Sequence, residues 1–463
     1  MTTNFAQRIH NANYKFDPYV RSLVDCDFYK LLMAYFIWKH YPDVGVTFTV
    51  KNRTKAVKLP AIVPEAHLRE QLDHVRSLRF TKSELIWLKG NSFYGQEGIF
   101  PGDFIAALAG LQLPEYHLEV RDGEYHITFS GTWFETTLWE IYALAVINEA
   151  RSRAAMADMT KYELTVLYAN ATSKLVAKLK ALKEADVRGI AEFGTRRRHG
   201  FLWQEFVIEA MQEELGAGFI GTSNALHAMR MDLEAIGTNA HELPMTITAL
   251  ARLEGLERSK RPTVENSDFM KQYLRNQIFM SQYRVLEQWE QTFSGNLLVA
   301  LPDTFGSTQF LQNAKSCFPN IEHWTGFRED SKDPYIAAEE KIAFWKSLGV
   351  DPRQKLQLFS DGLNHELMID LSNKFRDRIR CGFGWGTNAT NDFRDCDPRG
   401  RTDLNPISLV CKVTEVKNLK TGGKVGAVKL SDNYTKATGP EEEIAYYREI
   451  FGHEGVADIP VEV

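Results

Sequence analysis

No stretch of the 463 residues is long and apolar enough to read as a membrane helix, which needs roughly 18 such residues. A signal peptide is not expected either, because charges and aromatics run through residues 1–30. Cysteine is scarce. Cys26, Cys317, Cys381, Cys396 and Cys411 make five, an odd number at wide spacings with no CxxC pair. That argues against a disulfide framework or a zinc cluster and fits a reducing, cytoplasmic compartment. A basic excess is missing as well: 55 Lys and Arg stand against 60 Asp and Glu, a formal net charge of -5. A sequence-independent nucleic-acid binder is ordinarily basic, so no nucleic-acid partner is expected. Internal repeats and low-complexity stretches are absent too. What remains has globular proportions, 44% hydrophobic and 25% charged residues, with ample length for a large core.

The N-terminal part mixes element types. Residues 27–38 (DFYKLLMAYFIW) predict an apolar helix, and residues 44–51 alternate as a strand does. Residues 116–130 predict a hairpin turning at Asp122-Gly123. A long apolar helix is expected over 131–156 and an amphipathic, lysine-rich one over 173–185. After Val187 a rhythm sets in. Short β-like runs at 189–193, 218–220, 235–236, 296–301, 323–327, 355–359 and 378–383 lead into Gly-, Ser-, Thr-, Asp- or Arg-bearing loops. Helices are expected over 335–348 and 366–375, and a last strand over 409–416. Strands alternating with helices imply a parallel sheet. The expectation is an α/β chain, an irregular (β/α) TIM-like barrel with its active site at the carboxyl ends of the strands. A doubly wound sheet is the alternative, although no GxGxxG follows the first strand.

Those strand ends carry the chemistry. Gly194-Thr195, Gly221-Thr222 and Gly237-Thr238 each suit either a tight turn with an N-cap or a phosphate site made from backbone N–H groups and a hydroxyl. Arg196-Arg197-Arg198 is either a solvated loop or a clamp for carboxylate and phosphate. His241 follows a strand end directly and Glu242 follows it, so a neutral imidazole there can serve as base or nucleophile. The segment 328–334 (REDSKDP) offers Arg328 for an anion and its carboxylates for Mg²⁺ or sugar hydroxyls, or else forms an acidic helix start. In CGFGWGT, Gly382, Gly384 and Gly386 allow a phosphate cup near Thr387 or a close strand–loop approach.

Taken together, DCDFYK (25–30), EFGTRRR (192–198), GTSN (221–224), GTNAHE (237–242), LPDTFGS (301–307), GFREDSKDP (326–334), FSDGL (359–363), FGWGT (383–387) and KLSDN (429–433) resemble the nicotinate phosphoribosyltransferase family. The resemblance runs in order along nearly the whole chain. It implies a type II phosphoribosyltransferase: an irregular β/α barrel over 151–410, an additional N-terminal α/β domain over 1–150 contributing to a dimer interface, and a C-terminal segment over 411–463 packing on that domain. It implies the union of nicotinate and phosphoribosyl pyrophosphate into nicotinate mononucleotide and pyrophosphate, the first step of NAD synthesis from nicotinate. ATP is the co-substrate, Mg²⁺ the metal (its ligands unassigned), and His241 the phosphohistidine. His241, Arg328 and Asp330 are then catalytic. Phe193 stacks on the pyridine and Tyr29 on its other face, from the neighbouring subunit of a homodimer. Thr195, Arg196 and Ser223 serve the substrates, and Asp361, Gly362, Gly384, Gly386 and Thr387 hold the 5′-phosphate. Nicotinamide-using relatives carry Asp at the position of Ser223, so the acid is the expected substrate.

Three rival readings remain. One is transfer to nicotinamide or quinolinate. Another is an aldolase-like barrel, which wants a Schiff-base lysine at a strand end and finds none. The third is a non-catalytic barrel that binds phosphoribosyl pyrophosphate. Lys332 stands where the family has Gly, and the stretches 255–276 and 391–403 carry no assigned role.

Overall fold

A computed structural model describes residues 16–259 and 268–458. The apolar run after Asp27 forms α1 (Phe28–His40), buried along most of its length. β1 (Val44–Asn52) follows, then the hairpin of β2 (Tyr116–Arg121) and β3 (Glu124–Thr132). Asp122 and Gly123 take φ of 53° and 70°, the left-handed pair that suits a two-residue turn between right-twisted strands. The helix expected over 131–156 arrives in two pieces. Gly131 and Thr132 stay in β3, one turn covers Trp133–Thr136, and α2 runs Trp139–Met156. The Thr132 hydroxyl accepts from the Glu135 amide at 3.3 Å, which starts the helix after the strand. Residue 150 lies inside α2. α3 (Lys161–Glu184) begins at Lys161 rather than near 173, because Thr160 and Glu163 cap it reciprocally.

β4 (Ile190–Glu192), β5 (Phe219–Thr222), β6 (Val299–Ala300), β7 (Gly326–Glu329), β8 (Leu356–Phe359) and β9 (Arg380–Trp385) build one parallel sheet in the order β5-β4-β9-β8-β7-β6. α4 (Glu242–Ser259) and α5 (Asp268–Glu290) lie between β5 and β6 in sequence, and α6 (Pro334–Ser347) connects β7 to β8. The strand expected at 235–236 is reduced to one parallel bridge, Ala235 to Thr222, with the Ile236 amide donating to the Thr222 carbonyl at 2.8 Å. Among the described residues no ladder joins this edge to β6, so the parallel sheet is open there. Side chains cross the opening instead. His241 Nδ1 lies 2.9 Å from Thr304 Oγ1, and Arg328 Nη1 donates to the Asn239 carbonyl at 3.3 Å.

β10 (Leu409–Asn418) and β11 (Lys424–Gly426) return to the first sheet, which reads β11-β10-β1-β3-β2. β10 pairs antiparallel with the whole of β1, from Val44 opposite Asn418 to Asn52 opposite Leu409. The stretch 255–276 is the end of α4 and the start of α5, with 260–267 outside the described residues. The stretch 391–403 is stapled to the approach of α3: Arg399 pairs with Asp158 and Glu163 at 2.6 Å each, and Arg401 with Asp158 at 3.0 Å. Among the described residues no helix is long and apolar enough to cross a membrane.

Candidate active site

A cavity of about 270 Å³ opens where the carboxyl ends of β4, β7, β8 and β9 face the start of α1, the side of α2 and the edge of β10. Of the residues singled out in the sequence, Tyr29, Phe193, Arg196, His241, Arg328, Asp330, Asp361, Gly362, Gly384, Gly386 and Thr387 line it. Thr195 and Ser223 do not. Thr195 is fully buried, its hydroxyl accepting from Gln204 Nε2 at 3.0 Å. Ser223 donates to Asp27 Oδ1 at 2.6 Å, and Asp27 does not line the cavity either.

Phe193 leaves the end of β4 with its amide donating to the Trp385 carbonyl at 2.8 Å. A Cβ on Gly384 would overlap the Phe193 ring, and one on Gly386 would come 3.3 Å from the Phe193 carbonyl. These glycines therefore seat the aromatic ring against β9, the close-approach role, whether or not their amides also meet a phosphate. Tyr29 lines the cavity from α1 of the same chain. Its place is fixed because the Phe28 amide donates to the Ser223 carbonyl at 2.6 Å and Asp27 bridges Asn224.

The three arginines divide. Arg196 faces the cavity, its Nε 3.1 Å from Asp27 Oδ2, its Nη1 3.4 Å from Glu140 Oε1 and its Cζ 5.6 Å from the Tyr29 ring. Arg197 also lines the cavity. Arg198 turns away into the core, where it grips both oxygens of Asp25 at 2.6 and 2.9 Å and the Tyr19 carbonyl at 2.8 Å. The Gly-Thr pairs are turns rather than phosphate donors. Gly221 takes φ 136° against the Glu234 carbonyl, Thr222 donates to Glu192, and Thr238 donates to the Asn239 carbonyl.

Charge on the wall is strongly positive: Arg53, Arg196, Arg197, Arg328, Arg394, Lys412, Lys429 and Lys436 outnumber Glu140, Glu242, Asp330 and Asp361 two to one. The carboxylates orient the cations. Glu140 meets Lys30 at 2.7 Å, Lys412 at 3.3 Å and Arg196. Burial opposes its ionised form, but Lys30 and then Lys412 and Arg196 outweigh burial and hold the carboxyl well below its usual range. Asp361 pairs with Lys436 on the turn at Gly362, where φ is 60°.

His241 ends the turn that opens α4. Its Nε2 lies 2.8 Å from Lys429 Nζ, 2.9 Å from Asp330 Oδ2 and 3.7 Å from Asp303 Oδ2. Burial lowers its pKa below the ordinary value; Asp303 pulls the other way and Lys429 reinforces the fall, which favours a neutral ring with a lone pair. Burial also opposes ionisation of Asp330, yet Arg328, with Nη2 at 3.2 Å, and His241 keep it well below the usual carboxyl range. His241, Asp303 and Asp330 present ligand atoms within 4.8 Å of one another. The Lys429 ammonium, 3.6 Å from Asp303 and closer still to His241, already stands among them. This trio therefore does not fit a resident Mg²⁺, which wants hard oxygen ligands and several waters.

Asp27, Arg53, Glu140, Asp303, Lys412 and Lys429 were not singled out from the sequence for a role. A signal existed for one contact. Lys30 within FYKLLMAYFIW and Glu140 within WEIYALAVI are lone charges inside apolar helices, which survive burial only when paired.

Two family models match the chain: the nicotinate phosphoribosyltransferase (NAPRTase) family over residues 189–454 and the N-terminal domain of the same family over residues 24–148. Among solved structures, a nicotinate phosphoribosyltransferase from Porphyromonas gingivalis is 26% identical, with 94% of this chain and 100% of that one covered and a TM-score of 0.75. One from Vibrio cholerae is 27% identical, with 94% of each chain covered and a TM-score of 0.77.

Proposed function

The chain belongs to the nicotinate phosphoribosyltransferase family, and we propose that it joins nicotinate to phosphoribosyl pyrophosphate, with ATP hydrolysed through a phosphorylated His241. The observation that carries this reading is one cavity lined by two aromatic rings, Phe193 and Tyr29, by an excess of cations, and by His241 at a helix N-terminus.

In the transfer, the pyridine nitrogen bonds to the anomeric carbon as the bond from that carbon to pyrophosphate oxygen breaks. Phe193 and Tyr29 position the flat nucleophile, and fixed cations stabilise charge gathering on the departing pyrophosphate. Arg196, held by Asp27 and Glu140, is placed for the nicotinate carboxylate. Ser223 acts at one remove. It occupies Asp27 Oδ1 with a neutral hydroxyl, whereas an aspartate at 223 would set two carboxylates side by side and disturb Arg196. That supports the acid over the amide as substrate. Gly362, Gly386 and Thr387 suit the 5′-phosphate, with Arg53 and Lys436 nearby.

For the ATP half, a neutral His241 nitrogen takes the terminal phosphoryl group, ADP leaves, and water later releases phosphate. Lys429, Arg328 and the N-terminus of α4 all favour the added negative charge. ATP and phosphoribosyl pyrophosphate are supplied as Mg²⁺ complexes. The same reading makes the protein a cytoplasmic homodimer.

The test is product formation from labelled nicotinate and phosphoribosyl pyrophosphate with and without ATP, beside a nicotinamide control. Nicotinate mononucleotide stimulated by ATP is expected. His241→Ala should keep the basal transfer and lose the stimulation; stimulation that survives the substitution would end the phosphohistidine reading, and product from nicotinamide alone would reverse the assignment of the base.

A further inference from the structure

A turn from the N-terminal region sits where the parallel sheet is open. Phe93 and Gln96 exchange two backbone hydrogen bonds of 2.9 Å, and Tyr94 and Gly95 make the turn between them with φ of 53° and 72°. Positive φ is routine for Gly95 but costly for tyrosine, and such residues persist where the surroundings enforce them. Three residues of the turn are each anchored to a different part of the fold. The Phe93 ring packs 4.6 Å from Phe28, the neighbour of Tyr29. Gln96 exchanges hydrogen bonds of 2.9 and 2.8 Å with Ser294, just before β6. Tyr94 goes to the opposite edge. Its amide donates to Glu234 at 2.8 Å, and its hydroxyl both donates to the Gly237 carbonyl at 2.7 Å and accepts from the Gly237 amide at 2.5 Å.

One hydroxyl thus satisfies both backbone groups of a buried residue, leaving neither for a ladder. Gly237 opens the GTNAH segment that ends at His241, and it also touches the backbone of Tyr29: a Cβ at Gly237 would stand 2.5 Å from the Tyr29 amide nitrogen. Burial raises the Tyr94 pKa, so the phenol stays neutral and keeps both functions. We infer that Tyr94 is a positioning residue: its grip on Gly237 fixes the spacing between Tyr29, which stacks on the base, and the loop that delivers His241. Tyr94 itself does not line the cavity. The inference deepens the functional reading above and rests on it for the identity of the base.

Tyr94→Phe keeps the ring and removes only the hydroxyl. The KM for nicotinate is expected to rise about tenfold, the scale set by leaving a buried amide and carbonyl without partners, while kcat at saturation moves far less. Hydrogen exchange over the peptide containing Gly237 should quicken, and a peptide from α2 should stay as it was. Gln96→Ala cuts the turn's other tie without touching Gly237 and should leave KM and that exchange unchanged. An unchanged KM in Tyr94→Phe, unchanged exchange, or an equal effect from Gln96→Ala would each overturn the inference. If the wild-type protein turned over no nicotinate, the functional reading would fail, and the exchange comparison would still decide for or against the Tyr94 grip.

Discussion

Glu192 lies at the end of β4, next to Phe193, fully buried and without an ion-pair partner among the described residues. Its oxygens accept from Thr222 Oγ1 and the Gly194 amide at 2.5 Å each and from Gln204 Nε2 at 3.0 and 3.1 Å. Burial raises its pKa from 4.5 to about 7, because these donors recover only part of the lost hydration. The sign follows from linkage. The folded protein holds this proton more tightly than the unfolded chain does, so stability is fully present below 4.5 and is lost as pH rises through about 7. Glu192→Gln mimics the protonated carboxyl. Melts of wild type and variant should converge near pH 5 and separate towards pH 8, the variant gaining by a few kcal/mol at most on the linkage relation. A gap that does not change with pH would mean that Glu192 is already ionised throughout. At this scale the sequence was legible in residue types but not in directions. The residues 195–197 form a 3-10 turn, so neither strand alternation nor helical period tells which of Thr195, Arg196, Arg197 and Arg198 faces the ligand.

α3 is the element the sequence most underestimated. Its apolar face is plain after residue 173, but between Lys161 and Ala171 only Leu167 and Ala171 are buried, so hydrophobic periodicity fades there. The start is written instead in Thr160 and Glu163. Thr160 Oγ1 accepts from the Glu163 amide at 3.3 Å, and the Glu163 carboxylate accepts from the Thr160 amide at 2.8 Å. Thr160→Ala is expected to cost about 1 kcal/mol in a denaturant titration, the usual worth of such a cap. A cost near zero would mean that Arg399, which holds Glu163 at 2.6 Å, already fixes the helix start without the cap. The reverse error came at 131–156. An apolar run hid the break between β3 and α2, because both pack into the same core and differ in backbone rather than in composition. The strand expected at 235–236 stops at one bridge for another reason: both backbone groups of the next residue, Gly237, are taken by the Tyr94 hydroxyl, a partner more than a hundred residues away.

At the scale of the whole molecule, the alternation of strands and helices announced a parallel sheet, but whether its edges meet depends on long-range partners that no local pattern encodes. The cavity lies between the two sheets, and one buried ion cluster ties its walls together. Lys30 of α1, with no exposed surface, binds Glu140 of α2 at 2.7 Å and also Glu242, the first residue of α4. Burial works against the charge on Lys30, yet Glu140 and Glu242 more than restore it and raise its pKa. Trp133 Nε1 and Thr137 Oγ1 donate to the other oxygen of Glu242 at 2.6 and 2.7 Å. Because Glu242 follows His241 directly, this cluster connects the aromatic wall to the His241 loop. Lys30→Met should cost roughly 3–5 kcal/mol, since it leaves the buried Glu242 without a cation and takes from Glu140 the nearest of its three. Lys30→Met with Glu242→Gln should regain part of that loss in a thermal melt. If the double variant melted no higher than the single one, the loss would come from packing of the lysine stem, and the charge link between α1 and the His241 loop would have to be abandoned.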